Sequence, residues 1–165
     1  MNILTIDASL TSTGYSIFKN DKLVKYGKIC PDNKDLRLLY LYDYISNIIE
    51  NEKINIIIIE DGFSKIANLK TGLQLAELRG CIKLLSLKKD IEIITTAPQH
   101  LKKLLTGKGN STKEEVFECL KEIYKNDKVF NNIGPFSDKS NKDKTSDIYD
   151  AIALYEIYKE TKKIE

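Results

Sequence analysis

Four acidic side chains stand where the local pattern calls for apolar ones: Asp7, Glu60, Asp147 and Asp150. Asp7 ends the apolar run 3–6 and precedes a turn of small residues, 8–14. Glu60 ends the β-branched run 54–59. Asp147 and Asp150 are spaced i and i+3 at the start of a helical pattern, so they share a face. Leu154 continues that face, which should point toward a sheet. Carboxylates gathered in one place repel and lose hydration unless cations compensate. A donor set of oxygens without His or Cys selects Mg²⁺ or Mn²⁺ over zinc. Two such ions, about 4 Å apart, clamp the attacking and leaving oxygens of a phosphodiester. Each acid also has a plainer reading: Asp7 as a turn former, Glu60 as the partner of a lysine, Asp147 as the complement of a helix N-terminus. Asp150 resists dismissal because it leads straight into Ala151-Ile152-Ala153-Leu154.

The elements that must carry these groups follow from periodicity. Residues 3–6 read as a buried strand, with 15–20 and 23–29 as a hairpin around the turn signal Asn20-Asp21-Lys22. Residues 34–52 repeat apolar side chains at a helical period. The run 54–60 suits a strand covered on both faces, as in parallel sheets. Asp7 and Glu60 then lie at similar heights at the carboxyl ends of neighbouring strands, where open α/β sheets place their sites. Asp61 should point to the opposite face.

A long helix over 66–87 carries two apolar stripes, one through Leu69, Leu73 and Ala76, the other through Leu75, Leu78, Ile82 and Leu85. Gly72, Ala76 and Gly80 recur every four residues. A helix apolar on two sides needs two partners, the sheet and either a second subunit or deeper burial in its own domain. Residues 91–95 read as a strand, 98–105 and 113–124 as helices, and 146–162 as the final helix. The polar segment 126–145 reads as a long mobile loop. This order implies a mixed α/β sheet with an antiparallel start.

The 165 residues suit a single domain over 1–165 with a real core. A net charge of +2 announces no global nucleic-acid field, so any basic surface must be local. Cys30, Cys81 and Cys119 are odd in number and widely spaced, which argues against a disulfide framework and for a reducing cytoplasm. No run is long and apolar enough to span a bilayer, and no signal peptide is visible, so no membrane role is expected.

Four blocks then carry a resemblance: I-D-A-S-x-x-x-T-G-Y, I-I-E-D-G-F, H-L-K-K-x-x-T-G-K-G-N-S-T-K-E-E-V and S-D-I-Y-D-A-I-A-L. In order and spacing the chain resembles the RuvC family of Holliday-junction resolvases, over nearly its whole length. The resemblance implies an RNase H-like fold: a five-stranded mixed sheet of order 3-2-1-4-5 flanked by helices. It implies a crossover junction endodeoxyribonuclease that nicks four-way DNA junctions in pairs, with two Mg²⁺ ions per site and Mn²⁺ as substitute. Its homodimer would form through helix 66–87. The family's acids fall on Asp7, Glu60, Asp147 and Asp150, its catalytic or phosphate-binding lysines on Lys102 and Lys113, and its junction aromatic on Phe63.

The residues fit these roles physically. Lys102 and Lys113 flank a Gly-rich loop whose backbone can approach phosphates, although helix lysines are commonly just solvated. Phe63 can stack on an unpaired base or simply staple the helix start. Lys70, Lys102, Lys103, Lys108 and Lys113 can line a local basic track for DNA. His100, the only histidine, reads as an exposed helix residue rather than a general base. Two departures stand out: Asp7-Ala8-Ser9 replaces the family's usual D-P-G, and 126–145 is long. They suggest a divergent branch, such as a bacteriophage version. The rival readings are an RNase H-like nuclease acting on forks, flaps or RNA–DNA hybrids, and a junction-binding protein without cleavage. An actin-like ATPase would need two such domains, for which the chain is too short.

Overall fold

The computed structural model describes residues 1–61, 69–96, 103, 105–139 and 144–164. Phe63, His100 and Lys102 lie outside the described residues, as does most of the expected helix 98–105.

The first strand, β1 (Asn2–Asp7), forms the centre of a five-stranded sheet. β2 (Thr13–Lys19) pairs with it antiparallel, and β3 (Lys22–Ile29) pairs antiparallel with β2. The two-residue turn between them places Asn20 and Asp21 at φ 50° and 63°. Positive φ at both positions is what a tight hairpin needs, and Asn and Asp tolerate it. α1 (Arg37–Glu52) then returns the chain to β4 (Ile56–Glu60), which runs parallel to β1. α2 (Leu69–Lys88) leads to β5 (Glu92–Thr96), parallel to β4. The resulting order, β3-β2-β1-β4-β5, is the one expected.

Strand alternation divides the core in two. Leu4, Ile6, Ile17, Ile57 and Ile59 pack against α1 and α2 through Leu41, Ile45, Leu78 and Ile82. Ile3, Phe18, Ile56 and Ile58 face the other way, toward α5 (Ser146–Ile164). That helix lies across β2 and β1 and reaches β4, with Ala151 to Ile157 buried throughout. The run is apolar but for Glu156, which pairs with the Tyr124 hydroxyl and Lys159, because its surroundings are sheet on one side and α3 (Lys113–Ile123) on the other. Phe18 stacks on Tyr155 with ring centroids 3.6 Å apart.

Two expectations need correction. The run 54–60 is strand only from Ile56, because Ile54 N donates to Ile49 O and Asn55 N to Asn2 O, closing α1 and aligning the strand start. The segment 126–145 is not a structureless loop in its described part. It contains a short helix, α4 (Lys128–Asn131), capped by Asp127 Oδ1, which accepts from Val129 N at 2.8 Å and Phe130 N at 2.9 Å. Phe130 and Ile133 enter the core, and Phe136 packs against it. With Val129 these make four apolar side chains that pin the segment among its polar neighbours.

Candidate active site

The same alternation that sends Ile3 and Thr5 toward α5 aims Asp7 there. Ile56 and Ile58 do likewise for Glu60. The β1–β4 register ends at Ile6 opposite Ile59, so Asp7 and Glu60 follow on adjacent strands. Asp147 and Asp150 arrive on the first turns of α5, whose start is pressed onto the sheet at Gly14, the partner of Asp7. A Cβ on Gly14 would lie 2.0 Å from the Asp147 carbonyl oxygen, so only glycine permits this approach. Asp7, Asp147 and Asp150 each present a carboxylate oxygen within 4.8 Å of the others. Glu60 is not within that trio, but its charge acts on Asp7.

Burial, then the charges of Asp150, Glu60 and Asp147, hold the Asp7 carboxyl well above the ordinary carboxylate range; the Lys113 ammonium opposes them. Burial also raises Asp150, against the pull of Lys113. Lys113 Nζ lies 2.7 Å from Asp150 Oδ2. Burial disfavours its charge, but the Asp150 carboxylate outweighs that and pushes Lys113 up to about 12. Lys113 opens α3 behind a capping box, in which Thr112 Oγ1 accepts from Glu115 N and the Glu115 carboxylate accepts from Thr112 N. The Gly-rich loop before it is closed by hydroxyls: Ser111 Oγ donates to Lys108 O at 2.8 Å, and Gly107 takes φ +76°.

Several residues of the site were not read from the sequence. Ser12, buried in the turn after β1, donates from Oγ to Asp147 Oδ2 at 2.6 Å. Lys144 Nζ lies 2.9 Å from Asp147 Oδ1 and 3.4 Å from Asp138 Oδ1. Asp138 in turn accepts from Ser146 Oγ at 2.7 Å. The i,i+3 spacing of Lys144 and Asp147 was the one available signal. Asp138 had none, since its approach depends on how the polar segment 126–145 folds. The Ala8-Ser9 turn, where the D-P-G pattern is lost, is held by side chains: Ser9 N donates to Thr13 Oγ1 at 3.1 Å, and Thr13 Oγ1 donates to Ser9 O at 2.5 Å.

Of the lysines expected to line a basic track, Lys70, Lys103 and Lys108 are exposed on α2 and around the Gly-rich loop. Of these four described lysines, Lys113 is the one hydrogen-bonded to a carboxylate of the trio.

A mixed sheet of order 3-2-1-4-5, with carboxylates at the ends of β1 and β4 and on the helix across them, is an RNase H-like arrangement. The family model for "Crossover junction endodeoxyribonuclease RuvC" matches residues 3–154, and the chain belongs to that family. A relative of that name from Caldicellulosiruptor saccharolyticus is 31% identical over 132 residues, covering 74% of this chain and 78% of the relative. The fold is similar to that of T. thermophilus RuvC in complex with Holliday junction substrate, with a TM-score of 0.75 at 15% identity over 96% of this chain and 93% of that one. It is also similar to the fowlpox virus resolvase in complex with Holliday junction DNA, at a TM-score of 0.60 and 16% identity over 96% of this chain and 98% of that one. Among the described residues no helix is long and apolar enough to cross a membrane.

Proposed function

We propose that this chain is a structure-selective endodeoxyribonuclease that resolves four-way DNA junctions by paired nicks, with residues 1–165 acting as one nuclease domain. The observation that carries the reading is the trio Asp7, Asp147 and Asp150, drawn from opposite ends of the chain to within 4.8 Å. The donor set is all carboxylate oxygen, which suits Mg²⁺, with Mn²⁺ as substitute, and a phosphodiester displacement is served by two ions per site. Asp7, Asp147 and Asp150 would hold them, with Glu60 completing the set beside Asp7. When bound, such ions activate water and stabilise the departing 3′ oxygen.

The chain's own groups prepare the site for that use. Asp7 carries a costly negative charge that a cation relieves, so the site is electrostatically biased toward metal. The Ser12 hydroxyl holds Asp147 through Oδ2. Lys113 remains charged at neutral pH, offsets Asp150, and places an ammonium where a phosphate oxygen can meet it. Lys102 keeps the matching phosphate role that the resemblance assigns, and Phe63 the stacking role at the crossover. Lys70, Lys103 and Lys108 supply the wider phosphate contacts.

Paired nicks on a two-fold substrate need two copies of the site. α2 supports such a dimer: Leu69, Leu73, Leu84 and Leu87 are between 53% and 78% exposed, while Leu78, Ile82 and Leu85 on its other face are buried. A Cβ on Gly80 would meet nothing within 4 Å, so the described fold leaves that side open to a second helix.

The test is a substrate panel in Mg²⁺: an immobile four-way junction beside forks, flaps and RNA–DNA hybrids. Symmetric nicks in opposing strands of the junction are expected, at rates well above those on the other substrates. Faster cleavage of flaps or hybrids would replace this reading with that of a general RNase H-like nuclease.

A further inference from the structure

Both oxygens of Asp147 are already engaged. Oδ2 accepts from the buried Ser12 hydroxyl, and Oδ1 is paired with Lys144 at 2.9 Å. Each oxygen keeps a second lone pair, so the Ser12 hydroxyl can stay while a cation binds, but an ammonium 2.9 Å away repels a second positive charge and competes with it for this carboxylate. Ser12 is 3% exposed and belongs to the turn that joins β1 to β2, so it cannot leave without unfolding that turn. Lys144 is different: its side chain is 24% exposed, and it reaches in from the segment before α5.

Lys144 also has somewhere to go. Asp138 Oδ1 is 3.4 Å from the same ammonium, and its carboxylate is 46% exposed against 4% for Asp147. Ser146 Oγ holds Asp138 in place at 2.7 Å, and Ser137 O accepts from Thr145 N and Ser146 N, so both ends of this short segment are tied together. The ammonium can move from one carboxylate to the other by a side-chain rotation, without backbone rearrangement.

We propose that Lys144 is an exchangeable counter-ion of the site: it neutralises Asp147 in the metal-free protein, and a divalent cation displaces it onto Asp138. This inference rests on the divalent-cation reading of the carboxylate trio. It gives the metal-free protein an internal substitute for the missing positive charge. It also weakens the site's grip on metal, because the Lys144 ammonium competes with the incoming cation for the Asp147 charge. Lys113 does not serve in the same way, since it engages Asp150 and lies 4.0 Å from Asp138.

The test uses the full chain without DNA. Mn²⁺ affinity is measured by calorimetry for the wild type, Lys144→Met and, as a control for the general field, Lys139→Met. Lys139 is an exposed neighbour on the same segment. Lys144→Met should bind Mn²⁺ about fivefold or more tightly, the scale of a charge-assisted pair removed. Lys139→Met should remain within about twofold, as expected of a screened surface charge. In the wild type, the lysine ammonium resonance absent from Lys144→Met should move during a Mg²⁺ titration and saturate with metal binding. Equal Mn²⁺ affinity in wild type and Lys144→Met overturns the exchange and leaves the metal reading intact. Equal tightening by Lys139→Met, or a Lys144 resonance that ignores Mg²⁺, also overturns it. Failure of Mn²⁺ to bind either protein removes the metal reading and the exchange together.

Discussion

Burial and like charge both press on Asp7, and this has a thermodynamic signature. Its folded-state carboxyl is raised above the unfolded value, so the folded protein binds the extra proton. Metal-free stability therefore falls as pH rises from the ordinary carboxylate range through the folded pKa, and the penalty is fully present above it. Asp7→Asn should remove that slope. In EDTA at pH 7 it should stabilise the protein by on the order of 1 kcal/mol, as relieved active-site strain commonly does. Thermal melts of both proteins from pH 4 to pH 8 check this; a destabilised Asp7→Asn at neutral pH would contradict it. Added Mn²⁺ should reverse the ranking, since a ligand at 100 times its Kd stabilises by about 2.7 kcal/mol and the variant loses a carboxylate donor.

At the scale of elements, the site exists because α5 starts hard against the β1–β2 ladder. Gly14→Ala tests this contact. The added methyl would collide with the Asp147 carbonyl, so α5 must shift by more than a rotamer change can absorb. A loss of about 1–3 kcal/mol, typical of overpacking, is expected in denaturant titrations. Metal affinity should fall with it, because Asp147 moves relative to Asp7. The positions of Asp7, Glu60, Asp147 and Asp150 at the ends of their elements were legible in the sequence, since periods of two and 3.6 announce themselves through the apolar run each acid ends or begins. Ser12 and Asp138 were not legible, and Lys144 only through its i,i+3 spacing to Asp147. Their roles depend on how turns and connections close, and short polar segments carry no period. The segment 126–145 shows the same limit: its composition reads as loop, yet Phe130, Ile133 and Phe136 anchor it to the core.

For the whole molecule, the two-faced α2 makes a prediction about assembly. Its sheet-facing stripe is buried, and the row from Leu69 to Leu87 stays open to solvent in the single chain. The double variant Leu73→Glu with Leu84→Glu places charges on that open row without touching the core. Light scattering at micromolar concentration should show a dimer for the wild type and a monomer for the variant. Nicking by the monomer should lose its pairing, since each site would then act alone. A variant that stays dimeric would move the interface elsewhere. The expected order 3-2-1-4-5 came from the family blocks, whereas the exposure of this stripe required the fold itself.

The most direct test of the central claim compares wild type and Asp7→Asn on one immobile four-way junction in Mg²⁺, reading cleavage on denaturing gels and binding on native gels. Paired nicks should vanish in Asp7→Asn and in EDTA, while the variant still binds the junction with near wild-type affinity and steep salt dependence. Nicks that persist in Asp7→Asn, or with EDTA present, would contradict the assignment of this carboxylate cluster as the metal-dependent cutting centre.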